Sequence, residues 1–338
     1  MKNRMLKLKT ALMITVLSAA VSLVMPSYAD AVTKSGGGYA VTGQIDGVSY
    51  TTKIYDATNG LPTSDANSVL GASDGYIWVA GYSGVMRFDG STFTKLSDED
   101  GLTNGRALFE DSKQRIWVGT NDNGVVVIEG NRRTHLTYKD GLTSSSIRDF
   151  AEDKQGNIYI ATTEGVCYAD TDLKVYPVDE KKINEEKILR LDADVSGYIY
   201  GQTKSGLIFR IENKRVTDVY SGEELGVEQI STIKADPQVP GNVYLGTVGN
   251  YIYHGAFGDK ADRMELISVA PLKGVQWISY DCNRLWVCST SEAGYLDKFN
   301  NFRLLHENTL DSGIEMMTSD YQGNMWFASS TQGVMKVV

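Results

Sequence analysis

The chain contains only three histidines, His135, His254 and His306, and each lies in a different part of the sequence. A catalytic zinc site takes three protein ligands that meet at one point. Histidines so widely separated, two of them on or near predicted outer strands, are not expected to converge. The sequence also lacks a glycine-rich phosphate loop. We therefore predict no metal site, no cofactor and no catalytic residue: a protein that binds rather than an enzyme.

Carboxylates are the other candidates for chemistry, because glycoside hydrolysis uses two of them at a defined separation. Glu164 with Glu292 or Glu315 is the one pair that we nominate, and it keeps a carbohydrate-active hydrolase or lyase as an alternative. Many aspartates instead recur in a turn, as in Asp153-Lys-Gln-Gly156 and Asp320-Tyr-Gln-Gly323. One active site does not need a copy in every repeat, so these aspartates are expected to bond backbone N–H groups of their own turns.

These turns belong to a repeat that runs through the chain. An apolar residue followed by an aromatic one occurs seven times, at Ile77-Trp78, Ile116-Trp117, Ile158-Tyr159, Ile199-Tyr200, Val243-Tyr244, Leu285-Trp286 and Met325-Trp326. The aromatic residues lie 39 to 44 residues apart. Short segments rich in Val, Ile, Tyr and Phe between glycine turns are typical of strands. Four such strands in a unit of roughly 40 residues make one propeller blade. The sequence therefore predicts an all-β fold, a seven-bladed β-propeller.

The two ends of the repeat predict how the ring closes. The seventh repeat ends at Val338 after its third strand, and residues 50–55 match fourth-strand segments such as Phe93-Thr-Lys-Leu96. An unpaired sheet edge exposes free N–H and C=O groups. We therefore predict that the N-terminal strand completes the last blade. The propeller is expected to span residues 49–338, after a flexible linker at residues 30–48.

Residues 1–29 have the pattern of a secretory signal peptide. Four basic residues precede an uncharged apolar run of 15 residues, Ala11 to Met25, and small residues follow it. A bilayer span needs ~20 residues, so a cleaved signal peptide is favoured, with an uncleaved membrane anchor as the alternative. We expect a secreted or extracytoplasmic protein with no membrane span after signal cleavage.

The charge of the chain narrows the choice of partners. Cleavage after residue 29 would remove four positive charges and no negative ones, which changes the formal net charge from −9 to −13 (−9 − 4). An acidic surface repels phosphate backbones, so no nucleic acid is expected as a partner.

The three cysteines, Cys167, Cys282 and Cys288, are expected to be small buried side chains, and a Cys282–Cys288 bridge is the local pairing left open.

Two repeats carry a resemblance to a known family. Gly101-Leu102 with Glu110-Asp111 and Ile116-Trp-Val-Gly-Thr120, and Gly141-Leu142 with Glu152-Asp153 and Ile158-Tyr-Ile-Ala-Thr162, resemble the two-component regulator propeller repeats. In that family such propellers are extracytoplasmic sensor portions of signalling proteins with histidine kinase or diguanylate cyclase output. The resemblance, over roughly residues 50–338, implies ligand sensing. The family's output domains are not expected within this sequence, so we expect a truncated form of a larger sensor, a free-standing binding protein or a chain that signals through a partner.

Loops that differ between repeats on a rigid scaffold are where specificity is expected. The Gly-Leu links and the glycine turns after the second strands should share one face of the disc. The candidate ligand-binding residues on that face are Asn59, Asp65, Asn104, Arg106, Asn121, Asp122, Asn123, Glu164, Trp277, Glu292 and Glu315. Amides, carboxylates and an aromatic ring suit a hydroxyl-rich ligand such as a glycan fragment. The expected partner is a small-molecule or glycan ligand or a membrane signalling protein. A protein-interaction scaffold is an alternative, and each residue taken alone could be an ordinary solvated turn residue.

Overall fold

The computed structural model describes residues 40–45, 47–305 and 310–338. The predicted signal peptide and residues 30–39 lie outside the described residues, so both stay predictions. The described part contains 29 strands in seven antiparallel sheets. It begins with β1 (Ala40–Ile45) and β2 (Val48–Tyr55).

Six sheets are built from four consecutive strands each, and they form blades 1 to 6. Blades 1 to 3 consist of β3 (Ser68–Gly71), β4 (Ile77–Gly81), β5 (Gly84–Phe88), β6 (Phe93–Lys95), β7 (Gly105–Glu110), β8 (Ile116–Thr120), β9 (Val125–Glu129), β10 (Arg132–Leu136), β11 (Ile147–Glu152), β12 (Ile158–Thr162), β13 (Val166–Ala169) and β14 (Val175–Val178). Blades 4 to 6 consist of β15 (Ile188–Ala193), β16 (Ile199–Thr203), β17 (Ile208–Glu212), β18 (Arg215–Tyr220), β19 (Ile230–Ala235), β20 (Asn242–Thr247), β21 (Tyr251–Ala256), β22 (Glu265–Ser268), β23 (Trp277–Asp281), β24 (Arg284–Cys288), β25 (Ala293–Leu296) and β26 (Phe302–Leu304).

Blade 7 contains β27 (Ile314–Ser319), β28 (Met325–Ser329) and β29 (Gly333–Val337). The first strands of successive blades contact one another from β3 through β27 and back to β3, so these strands surround the axis of the ring. The seven-bladed propeller predicted from the repeat is confirmed.

Closure of the ring follows the prediction. Strand β2 pairs antiparallel with β29, from Thr52 opposite Val337 to Tyr55 opposite Val334. The N-terminal strand is thus the fourth strand of blade 7. The structure adds one feature within the range expected to be a linker: β1 pairs with β2 as a fifth strand. Strand β1 pairs there because β2 would otherwise present an exposed sheet edge with free N–H and C=O groups.

Helices are few and short. The described residues contain an α-helix, α1 (Gly222–Leu225), and three 3₁₀-helices at Asp98–Asp100, Tyr138–Asp140 and Ala261–Arg263. Within residues 40–45, 47–305 and 310–338, no helix has the length and apolar character needed to cross a membrane.

The aromatic residue of each repeat packs against the following blade. Seven core clusters exist among the described residues, and each joins side chains of two neighbouring blades. Trp117 of blade 2 is fully buried, and its ring centroid lies 6.0 Å from that of Phe150 in blade 3. Trp286 of blade 6 lies 6.2 Å from Phe327 of blade 7 in the same way. Flat rings between sheets therefore hold the blades together.

The repeated aspartates bond their own turns, as predicted. Asp111 Oδ1 accepts the backbone N–H groups of Lys113 and Arg115, at 3.0 and 2.9 Å. Asp111 Oδ2 accepts the indole N–H of Trp117 at 2.8 Å. Asp320 and Trp326 repeat this bond at 2.9 Å. The aspartate therefore joins the turn to the ring that packs between the blades, which is a structural role.

Blade 1 lacks this aspartate, which leads to a stability prediction. Ala72 occupies the equivalent position, since its N–H bonds the Tyr76 carbonyl at 2.9 Å as that of Asp111 bonds Arg115. The Trp78 Nε1 atom is buried without a hydrogen-bond partner in the described structure. We expect Ala72→Asp to raise the free energy of unfolding by about 1 kcal/mol, because it supplies the missing acceptor.

Chemical denaturation measures this gain. The control is the same change in a Trp78→Phe background, where no indole N–H needs an acceptor and the gain should disappear. An equal effect in both backgrounds would contradict the assigned bond.

The cysteines are free, and their positions explain why. Cys167 and Cys288 are buried as expected, whereas Cys282 is exposed, which corrects the expectation for that residue. Cys282 lies in the turn between β23 and β24, while Cys288 lies at the far end of β24, opposite Trp277. Four residues of strand span about 13 Å, whereas a disulfide needs Cα atoms within about 7 Å. The local pairing that was left open is therefore not formed.

Candidate functional site

The innermost strands of five blades carry a bulge close to their first residue. The ladder between first and second strands skips Arg106 in β7, Arg148 in β11 and Glu315 in β27. The same irregularity occurs in β15 and β19. A bulge bends the strand and changes the direction of the side chain at the extra residue. Here it brings two guanidinium groups and a carboxylate into the lining of one cavity.

Two adjoining cavities lie among the innermost strands. The outer cavity, of about 40 Å³, is at the end where the Gly-Leu links enter these strands, and its polar lining comprises Asn67, Ser68, Arg106, Arg148, Asp149, Arg190, Trp277 and Glu315. The inner cavity, of about 190 Å³, has Asp149, Asp192, Lys234 and Asp281 in its lining. Asp149, Arg190, Trp277 and Met316 line both cavities and so lie where they meet.

Arg106 connects three blades across the outer cavity. One terminal nitrogen of its guanidinium donates to Asn67 Oδ1 of blade 1 at 3.2 Å. The other donates to Glu315 Oε2 of blade 7, also at 3.2 Å, and this contact is an ion pair. The half-buried pair fixes Arg106 in place and neutralises the Glu315 carboxylate.

Arg148 is held by a chain of amide groups from the neighbouring blade. Its terminal nitrogens donate to Asn121 Oδ1 at 2.6 Å and to Ser146 Oγ at 2.9 Å. Asn121 in turn donates to Asn104 Oδ1 at 2.9 Å, and Asn104 donates to Asp122 Oδ2 at 3.0 Å. This chain orients the guanidinium but leaves its Nε–H buried and without a partner among the described residues.

Arg190 packs on the indole ring of Trp277. The guanidinium carbon lies 4.7 Å from the ring centroid, within the range of a cation–π contact. Its terminal nitrogens donate to the backbone carbonyls of Leu189 and Gln276, at 2.8 and 3.3 Å. Arg190 Nε and Trp277 Nε1 are both buried without a partner in the described structure.

Unpaired buried donors are concentrated at this site. Six buried side-chain nitrogen or oxygen atoms of the described residues have no hydrogen-bond partner, and three of them belong to Arg148, Arg190 and Trp277. All three are N–H donors. A buried unpaired donor costs about 1–3 kcal/mol. Such groups in a native protein are explained by a bound water, an ion or a functional role.

The electrostatics of the site follow from burial and from neighbouring charges. Burial, reinforced by Arg106, lowers the pKa of Arg148. Burial likewise lowers the pKa of Arg190, although the Asp149 carboxylate opposes it. Burial raises the pKa of Asp149 from 3.8 to about 6, against the opposing effect of Arg190. The cavity thus holds three guanidinium groups against two carboxylates, one of which is protonated in weakly acidic solution.

Asp149 predicts a pH dependence of stability. Because folding raises its pKa, the folded protein holds this proton more tightly than the unfolded chain. The stabilisation is full below about pH 4 and is lost as the pH rises through about 6. We expect the unfolding free energy of the wild type to fall by on the order of 1–3 kcal/mol relative to Asp149→Asn between these values. Denaturant titrations across this pH range measure the difference, and parallel profiles of the two proteins would contradict the assignment.

The structure places the eleven predicted site residues in three groups. Arg106, Trp277 and Glu315 line the outer cavity. Asn104, Asn121 and Asp122 form the support of Arg148. The others lie in the links and turns of the same face: Asn59, Asp65, Asn123, Glu164 and Glu292. Asn59, for example, bonds the Ile54 carbonyl at 2.8 Å, and Asn123 bonds that of Gly101 at 3.0 Å.

Sequence reasoning missed four cavity residues, Asn67, Arg148, Asp149 and Arg190. A signal for Arg148 was present, because it follows the Gly141-Leu142 link as Arg106 follows the preceding link. Arg190 lies one position further along, after the bulge of its own strand. Residue spacing alone could not reveal that offset.

The described histidines lie outside both cavities. His254 is in β21, where its Nε2 contacts Asp236 Oδ2 at 2.7 Å and its ring stacks on Tyr244 at 4.1 Å. His135 is in the outermost strand of blade 2. His306 lies outside the described residues. Among those described, no group of three or more His, Cys, Asp or Glu side chains is placed to hold a metal ion.

Comparison with known proteins relates the chain to one family and to several structures. The family model described as "two component regulator propeller" matches residues 141–164. No curated protein matches the chain in sequence. The extracellular domain of a protein assigned as a hybrid two-component system from B. thetaiotaomicron has a TM-score of 0.70 and 19% identity, over 86% of this chain and 41% of that domain.

A second hybrid two-component domain from B. thetaiotaomicron has a TM-score of 0.65 and 16% identity, over 84% of this chain and 39% of that domain. A streptogramin B lyase has a TM-score of 0.70 and 14% identity, over 86% of this chain and 97% of the lyase. At these sequence identities the similarities show a shared fold. The absence of enzyme activity stays a prediction. One repeat of the chain, residues 141–164, thus matches the two component regulator propeller model, and the described chain shares the propeller fold of these structures.

Proposed function

We propose that the chain is a ligand-binding input propeller of an extracytoplasmic signalling system, and that its ligand occupies the central cavities. The observation that carries the proposal is the site itself: two adjoining cavities at the axis, lined by charged groups and one half-buried indole. Ligand sites in proteins are typically concave, with a few converging polar groups. The similar extracellular domains of two-component systems support the sensor role.

A membrane signalling protein is the proposed partner that receives the signal. The chain covers 41% and 39% of the two similar extracellular domains, so more than half of each domain lies outside the aligned part. The proposed arrangement assigns recognition to this chain and output to the partner.

Tryptophan fluorescence tests ligand entry, because the five tryptophans differ in position. Trp277 lines both cavities, whereas Trp78, Trp117, Trp286 and Trp326 are buried in the core between blades. Glycan fragments and charged small molecules are titrated into the full chain. A ligand is expected to change the emission and to raise the melting temperature. The Trp277→Phe variant should lose the emission change and show a smaller thermal shift, because Trp277 lines both cavities.

Two outcomes would contradict the proposal. One is that no compound shifts the melting temperature. The other is that a ligand gives the same emission change in Trp277→Phe as in the wild type, which would place its binding elsewhere. Product formation from a bound compound is followed in parallel, and turnover would support the alternative of a hydrolase or lyase.

A further inference from the structure

We propose that the outer cavity binds the oxyanion of a small acidic molecule, a carboxylate, between Arg148, Arg190 and Trp277. The inference rests on the proposed function and specifies its ligand class. The rest of such a molecule would extend into the inner cavity, which Arg190 and Trp277 also line.

The polar groups of the outer cavity suit a carboxylate. Arg148, Arg190 and Trp277 line this cavity, and each has one buried N–H without an acceptor in the described structure. A carboxylate has two oxygens with about four acceptor sites. Charge-assisted hydrogen bonds of guanidinium to carboxylate are about twice as strong as neutral ones. A carboxylate therefore offers acceptor sites to side chains whose N–H groups no described residue satisfies.

The charge of the cavity also favours an anion. The chain as a whole carries a formal net charge of −9, yet three guanidinium groups face this small cavity. The nearby Lys187 belongs to the same field, since burial and then Arg148 lower its pKa. Crowded, partly desolvated cations are costly for a protein to maintain. A bound anion would relieve that repulsion.

The two carboxylates that line the cavity already have partners. Glu315 is ion-paired with Arg106 at 3.2 Å. Asp149 accepts the backbone N–H groups of Phe150 at 2.9 Å and of Leu191 at 3.0 Å. Each carboxylate thus has donors of its own, and neither bonds the three unpaired N–H groups. No described residue supplies the acceptor that these groups lack.

The size of the cavities limits what can bind. A volume of about 40 Å³ accommodates no more than a few water-sized groups, which suits a single carboxylate. The inner cavity of about 190 Å³ is large enough for a compact body such as one sugar ring. The ligand class is therefore a small monoanion with a polar body, rather than an extended polyanion.

The experiment compares three sugars of similar size and different charge: glucuronate, glucose and glucosamine. Acetate and inorganic phosphate are included as bare anions. Isothermal titration and thermal shift are measured on the full chain. We expect glucuronate or acetate to bind and glucose and glucosamine to bind at least about 10-fold more weakly, because an unpaired buried charge is left when the anion is missing.

The variant Arg148→Gln links binding to this site. It should weaken anion binding by roughly 10- to 100-fold, while the melting temperature of the free protein stays equal or rises, because a crowded cation is removed. The matched control is Arg303→Gln on the outermost strand β26, where the arginine pairs with Asp297 at 2.9 Å and does not line either cavity. It should bind anions like the wild type.

The outcomes separate this inference from the proposed function. Equal or tighter binding of glucose, failure of every anion to bind, or unchanged anion binding in Arg148→Gln would each overturn the inference. If a neutral ligand binds and changes Trp277 emission, the proposed ligand-binding function stands although the inference of a carboxylate ligand fails. Tighter binding of phosphate than of either carboxylate would also overturn the assignment to a carboxylate.

Discussion

Replacing Trp117 by alanine is expected to lower the free energy of unfolding by about 3–5 kcal/mol. Trp117 is fully buried between blades 2 and 3, where it packs with Ile147 and Phe150 of β11. The change removes this contact and the bond of the indole to Asp111 together. Denaturant unfolding measures the loss, which should appear as a lower midpoint.

The variant Trp117→Phe separates the two contributions. It keeps an aromatic ring between the blades and loses the 2.8 Å bond to Asp111, so its loss should be smaller than that of alanine. An alanine variant as stable as the wild type would show that this residue does not hold neighbouring blades together.

Deleting residues 1–55 is expected to abolish cooperative folding. The deletion removes β2, which supplies the fourth strand of blade 7 and pairs with β29. It also takes Tyr50 and Tyr55 out of the core and exposes the backbone edge of β29. An open sheet edge promotes aggregation. Circular dichroism on heating should show a broad transition, and light scattering should show association.

Deleting residues 1–46 is the matched control. It removes β1 but keeps β2 and therefore the closed ring. This protein should keep the association state of the full chain and unfold in one transition close to that of the full chain. If both deletions behave alike, the closing role assigned to β2 is wrong.

The fold could be predicted because its physical signal is repeated. Each blade needs a tight turn before its second strand, an aromatic side chain that packs against the next blade, and glycine turns between its strands. The same residue types therefore recur in each blade. Even the closing strand was visible, since residues 50–55 resemble the fourth strands of other repeats. Strand β1 was not visible, because it belongs to no repeat and forms only as an addition to β2.

The site was harder to predict because it depends on departures from the repeat. Arg106, Trp277 and Glu315, which were predicted from the differences between links on one face, line the outer cavity, and their role in binding stays a prediction. Bulges in five of the innermost strands change which residue enters the cavity. Arg148 lies at the bulge of its strand, whereas Arg190 lies one position beyond the bulge of its own strand. Residues such as Asn59 and Asn123 look like ligand contacts in the sequence but satisfy the backbone of their own links.

The central claim is that the axial cavity of this propeller is an anion-binding ligand site, and anomalous diffraction from crystals soaked in bromide tests it most directly. We expect a bromide ion in the outer cavity, among the side chains of Arg148, Arg190 and Trp277. Bromide found solely on the outer surface, with water in this cavity, would contradict the claim.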